Sequence, residues 1–186
     1  MKHPGNLRFG ALTSSLFLVA ASALAATGGL WLDVPYVHQE KDGCGSASVA
    51  MVMQYWAEKG ASVPASRSDA AQIQKELYSR KARGIYASAI EQYLKDSGFE
   101  VFAFRGEWND LREQVKKGRP LVVALEPTRG APLHFVVVVG ISPGDTAALL
   151  NDPARSKLLK VGREEFNQQW GRAQNWTLLA VPKQVQ

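Results

Sequence analysis

The chain carries a single cysteine, Cys44, set where a nucleophile would be. Asp42-Gly43 before it are turn residues, and Gly45-Ser46-Ala47 after it open a segment with almost no polar positions. Val49, Ala50, Met51, Val52, Met53, Tyr55 and Trp56 fill nearly every angle of a helical wheel. That pattern predicts a helix from about Gly45 to Glu58, buried on all sides. A thiol in the first turn of such a helix sits among backbone N–H groups without carbonyl partners, at the positive end of the dipole. Both features favour the thiolate over the thiol.

A cysteine nucleophile needs a base, and the base needs an orienting group. Of the three histidines, His3 lies in an N-terminal segment expected to be removed, and His38 lies on an extended segment before the cysteine loop. His134 opens the β-branched run to Ile141, the strongest strand signal in the chain. Ser142-Pro143-Gly144-Asp145 is a turn by composition, and Ala147 to Asn151 returns as the next strand. With Pro143-Gly144 at the centre of that hairpin, His134 and Asp152 become cross-strand neighbours or nearly so. Their side chains would be about 5 Å apart at the closest pairing. An aspartate there can accept the imidazole N–H, fix its tautomer and stabilise the imidazolium. Asp152-Pro153 also reads as a plain strand-ending turn, and one residue can fill both roles. Gln39 is the fourth candidate. A tetrahedral oxyanion needs two preorganised donors, which the Cys44 backbone N–H and the Gln39 amide could supply.

The elements that must position these residues follow from periodicity. Leu32 to Val37, interrupted by Pro35, suits an edge strand or an extended lead-in to the cysteine loop. A second helix starts at Ser68 with Ala70, Ile73 and Leu77 on one face, and a third covers Ala87 to Asp96, closed by Gly98. Glu100 to Phe104 reads as a strand, and Trp108, Leu111 and Val115 mark an amphipathic helix. Leu121 to Leu125 is a short apolar strand, Glu164 to Trp170 a short helix, and Trp176 to Val181 a final strand. Asn175, Trp108, Trp170 and Trp176 read as packing. Helices first and mostly antiparallel strands later give an α+β fold around one core.

Composition sets the remaining bounds. A chain of 186 residues, 46% hydrophobic and 21% charged, is ordinary for one globular domain. Lys2 and Arg8, the apolar run Ala11 to Ser22 and the small residues Ala23-Leu24-Ala25 form a signal peptide over 1–25. The expected order is that segment, a flexible leader over 26–31 containing Gly28-Gly29, and a domain over 32–186. The apolar run is too short for a comfortable membrane span, so none is expected after cleavage. Export to the periplasm or beyond leaves a lone cysteine either free and reactive or bonded to another chain. Removing Lys2 and Arg8 lowers the net charge from +5 to +3, with no basic stripe, so no nucleic-acid partner is expected. No zinc ligand set and no phosphate loop stands out, and no cofactor is expected.

Val34-Pro35 to Gln39, then Asp42-Gly43-Cys44-Gly45-Ser46-Ala47 with Met51, resembles the nucleophile segment of the bacteriocin-processing cysteine peptidases. These are papain-like domains that cut leader peptides after a double glycine. His134-Phe135-Val136-Val137-Val138 and Asn151-Asp152-Pro153 resemble the family's His and Asp blocks, and Glu165-Phe166 with Trp170 its closing segment. The similarity runs from about Leu32 to Pro182. It implies a papain-like fold with Cys44 as nucleophile, His134 as base, Asp152 as orienting residue and Gln39 in the oxyanion hole. It also implies a narrow cleft preferring small residues before the cut, a peptide or protein substrate, and a secretion system or transporter as candidate partner. The expected signal peptide sets this chain apart from members fused to ABC transporters, which work on the cytoplasmic side. Two other readings use the same frame: a cell-wall amidase or transpeptidase, and a non-hydrolytic peptide-binding adaptor. Degenerate adaptors typically lose the cysteine, so Cys44 argues against the second.

Overall fold

In the computed structural model, which describes Met1 and residues 29–183, the chain is built around the helix that begins at the cysteine. The expected signal peptide and its cleavage site lie, apart from Met1, outside the described residues. Helix α1 (Cys44–Glu58) buries Gly45 to Met53 and Tyr55, as its apolar positions on every face require. Helix α2 (Ala70–Leu77) is capped by Asp69, whose carboxylate accepts from the Gln72 N–H at 2.8 Å. Its start falls after Ser68 because that serine's hydroxyl donates backwards to the Ala65 carbonyl instead. Helix α3 (Ala87–Asp96) buries Ile90, Tyr93 and Leu94.

Among the described residues, seven strands form one antiparallel sheet. They are β1 (Leu30–Trp31), β2 (Phe99–Arg105), β3 (Leu121–Leu125), β4 (His134–Ile141), β5 (Ala147–Asn151), β6 (Leu159–Gly162) and β7 (Trp176–Pro182). The order is β2-β7-β3-β4-β5-β6, with β1 paired to β4. Helices α4 (Trp108–Lys116) and α5 (Arg163–Arg172) cover the face opposite α1. Val122, Ala124, Phe135, Val137 and Val139 pack with α1, α2 and α3. Leu121, Val123, Leu125, Val136 and Val138 pack with Trp108, Leu111, Phe166 and Trp170. The single core read from the sequence is therefore two, divided by the sheet. Coverage on both faces explains why β3 and β4 are continuously apolar rather than alternating.

Two expectations need correction, and one strand, β6, has no counterpart among them. Residues 30–31, assigned to a flexible leader, pair as β1 with Ile141 and Gly140. β3 pairs with β4 only as far as Val138, so the edge beyond it is open, and side-chain-free Gly140 admits the close approach. Leu32 adds a bond from its N–H to the Val139 carbonyl at 2.7 Å, after which the chain leaves the sheet. The four residues of β6, too few for a periodic signal, pair with β5. The hairpin register also differs. Its turn is a 3-10 segment with Gly144 at φ 72° and Asp145 at φ 57°, and a bulge follows Val138. Val137 pairs with Asn151, which sets Asp152 just beyond the strand end, two residues short of the position opposite His134.

Candidate active site

The start of α1, the start of β4 and the turn after β5 converge. His134 Nε2 lies 2.7 Å from Asp152 Oδ1. The two residues of register offset are spanned because Asp152 has left the strand, so its carboxylate reaches outward to the imidazole at the rim. Asp152 is 5% exposed, and Oδ1 also accepts the Ala154 N–H at 3.0 Å. With Nε2 occupied, Nδ1 is the ring nitrogen left for Cys44, which lies near enough to act on the imidazole's ionisation. Cys44 is free and partly buried.

Electrostatics favour the charged forms. Burial alone disfavours the imidazolium of His134. The hydrogen bonds to Asp152 and Cys44, with the negative charges on both, outweigh that burial and raise its pKa from 6.5 to about 9. Burial likewise opposes ionisation of Asp152. The bond to His134, the imidazolium charge, the Ala154 N–H and Arg155 together hold its carboxyl below the usual range.

Local structure fixes these groups. Asp42 adopts φ 55°, turning the chain into α1, and is held by Tyr78 O–H donating to its carboxylate at 3.4 Å. Gly45 lies tight against the neighbouring elements: a Cβ there would stand 3.3 Å from Ile85 Cβ and 3.4 Å from Ile90 Cδ1. One turn beyond Cys44, the fully buried Ser48 hydroxyl donates to the Phe135 carbonyl at 3.1 Å, beside His134. Gln39 is brought alongside through its backbone N–H, which donates to the Pro153 carbonyl at 2.9 Å. Its Oε1 is buried without a hydrogen-bond partner, and its side chain lines a cleft of about 260 Å³ with Ser46, Ala47 and Gln74. His38 is exposed on the rim of that cleft. A larger groove of about 460 Å³ is walled by Ala87, Ala124, Phe135 and Trp176, whereas His134 and Asp152 themselves line another of about 370 Å³ with Pro127, Arg155 and Gln169.

Sequence reasoning missed Ser48, Tyr36 and Asn151. Ser48 had a signal: a hydroxyl inside an all-apolar helix must find an acceptor. Asn151 likewise ends an otherwise apolar strand and is fully buried. Gly29 stands against Pro143, at the far end of β4 from His134, roughly 23 Å away at strand rise. Gly29 is thus remote from this chain's own site, and Gly28 lies outside the described residues.

A single family model accounts for residues 31–177, from β1 into β7. The chain belongs to the Peptidase_C39 like family. None of the curated proteins matches the sequence. Among solved structures, a protein described as a C39-like peptidase from Bacillus anthracis superposes with a TM-score of 0.66 at 20% identity, covering 84% of this chain and 99% of that one. A double-glycine motif protease from an AMS/PCAT transporter, solved with its leader peptide, gives 0.62 at 25% identity, covering 82% and 94%. The peptidase domain of Streptococcus ComA, a bifunctional ABC transporter, gives 0.62 at 21% identity, covering 80% and 98%. The fold is the α+β arrangement of C39 peptidases, and the chain is placed with peptidases.

Proposed function

We propose that this C39-like chain is an exported cysteine endopeptidase that cuts secreted or leader peptides after small residues such as Gly-Gly. The observation that carries the reading is the 2.7 Å bond from His134 Nε2 to Asp152, which leaves Nδ1 for Cys44. Cys44 Sγ attacks the peptide carbonyl carbon, and the carbonyl electron pair moves onto oxygen. The Cys44 N–H and the Gln39 amide hold that oxyanion. The His134 imidazolium gives its Nδ1 proton to the departing amine as the C–N bond breaks, leaving a thioester. Neutral His134 then takes a proton from water, which attacks the thioester and restores the thiolate. Asp152 keeps the ring oriented throughout. Export rests on the N-terminal pattern Lys2 to Ala25, and small-residue preference on the family likeness.

The test is the pH dependence of Cys44 alkylation by iodoacetamide in the mature protein and in His134→Ala. Reactivity well below about pH 8 that disappears in the variant supports the pair. A wild type titrating like a free thiol near about pH 8.5, or one that fails to react, removes the catalytic reading. Release of muropeptide fragments without cleavage of ordinary peptides would instead assign the site to a cell-wall enzyme.

A further inference from the structure

The segment that carries Gln39 and the turn that carries Asp152 are separated by more than a hundred residues, yet they are bonded at three consecutive steps. Asn151 Nδ2 donates to the Val34 carbonyl at 3.1 Å. Tyr36 O–H donates to the Asp152 carbonyl at 3.0 Å. The Gln39 N–H donates to the Pro153 carbonyl at 2.9 Å. Asn151 is fully buried, and its Oδ1 also accepts the Leu158 N–H at 3.1 Å, closing the turn from the other side. That turn is under tension: Leu158 sits at φ 54°, a region a branched, bulky residue rarely occupies. Strain of this kind persists only where surrounding bonds over-determine it, and it gathers at functional sites.

We propose that Tyr36 and Asn151 are positioning residues that hold Gln39 and Asp152 as one rigid unit against His134. The proposal rests on the reading of Cys44, His134 and Asp152 as the catalytic set. Asp152 hangs beyond the end of β5, so the sheet ladder does not fix its place along the strand direction. The bonds from Tyr36 and Asn151 supply that missing constraint. They pull on the backbone on either side of the carboxylate, leaving both carboxylate oxygens clear of Tyr36. Through the same segment, any displacement of the turn is passed to Gln39, so orientation of the imidazole and placement of the oxyanion donor are coupled. Burial, and then the nearby Asp152 charge, raise the Tyr36 pKa, so the phenol remains a donor across the working range.

The test compares iodoacetate with iodoacetamide as alkylating agents of Cys44, from about pH 5 to about pH 10. The anionic reagent is favoured only while His134 is an imidazolium close to the sulfur, so the rate ratio reads their alignment. Tyr36→Phe keeps the ring and removes the hydroxyl. It is expected to lower the iodoacetate preference roughly fivefold, the effect of one ordinary hydrogen bond, and to narrow its pH window from both sides. In an Asp152→Ala background, with no carboxylate left to position, the same substitution should cost nothing more. Proton NMR titration of His134 in Tyr36→Phe reads the displacement without any reaction at Cys44. Asp33→Asn cuts the exposed Lys157–Asp33 bridge between the same two regions and should leave the profile in place. Tyr36→Phe that lowers the melting temperature while the rate ratio and the His134 titration stay unchanged would reduce the bond to a tether and overturn the proposal. Full additivity with Asp152→Ala would do the same. A wild type with no iodoacetate preference at all would instead strike the catalytic reading itself.

Discussion

Replacing Asp152 by asparagine removes a charge while keeping the size of the side chain, and His134 should report the loss directly. Its pKa stands at about 9 against an ordinary 6.5, with burial acting in the opposite direction. The raise is therefore supplied by Asp152 and Cys44, Asp152 providing the largest raising contribution. The whole displacement corresponds to about 3 kcal/mol. Cys44→Ala separates the two partners. In that variant His134 should still titrate above 6.5; in Cys44→Ala/Asp152→Asn only burial remains, and the midpoint should fall below it. The assay is proton NMR of the imidazole resonances. Stability gives a second readout, with a definite sign. A folded-state pKa raised above the unfolded value stabilises fully below about 6.5 and loses that contribution as the pH climbs through about 9. The parent should thus lose up to about 3 kcal/mol over that window, and Cys44→Ala a smaller part. The Cys44→Ala/Asp152→Asn double variant should be flat or gain. On the acid side, the lowered Asp152 carboxyl contributes stability above the unfolded carboxyl value that disappears as pH falls through its folded one. This is the same pair and is not an additional energy. A double variant that still titrates above 6.5 would refute the assignment of the shift to Asp152.

Other consequences are testable by simpler means. Ser48→Ala deletes the buried 3.1 Å bond to the Phe135 carbonyl and should cost about 1–3 kcal/mol in denaturant melts, with slower alkylation of Cys44 by iodoacetate. Gly140→Ala puts a Cβ 2.8 Å from both the Leu30 carbonyl oxygen and Trp31 Cβ. It should detach β1, seen as rapid exchange of the Leu32 amide, while Cys44 reactivity at the other end of β4 is kept. Leu111→Ala empties a fully buried position under α4 and should cost about 2–5 kcal/mol, with an unchanged alkylation profile at temperatures where the protein stays folded.

How much of this could be read beforehand depended on whether the signal was local. The cysteine helix was legible because Val49 to Trp56 leave no polar face, and β3 and β4 because runs such as Leu121–Leu125 have no solvent side. What the run of valines in β4 could not reveal is that two helical layers require it, and so that the core is double. Proximity of His134 and Asp152 was legible from the turn composition, but their register was not. The offset comes with the bulge after Val138 and the left-handed Asp145, neither of which leaves a mark in the turn's composition. β1 itself was obscured because two residues carry no period and Gly28-Gly29 reads as linker. Its signal lay elsewhere in the chain, in the bare Gly140 that receives it.

The bonds that align the site also differ in kind from those that hold the fold. Ser48 to the Phe135 carbonyl, Tyr36 to the Asp152 carbonyl, Asn151 to the Val34 carbonyl and Gln39 to the Pro153 carbonyl are single hydrogen bonds to backbone. Each is worth about 1 kcal/mol to stability, far less than one buried leucine. Yet a displacement well under 1 Å at any of them moves a reacting group, and positioning of reactants carries several kcal/mol of a barrier. Core substitutions should therefore lower the melting temperature before they touch Cys44 reactivity, whereas loss of these four bonds should lower reactivity first. The two classes of variant then separate along different axes, reactivity against stability. A set of core and turn variants falling on one common line would mean that the site has no alignment of its own beyond the integrity of the fold.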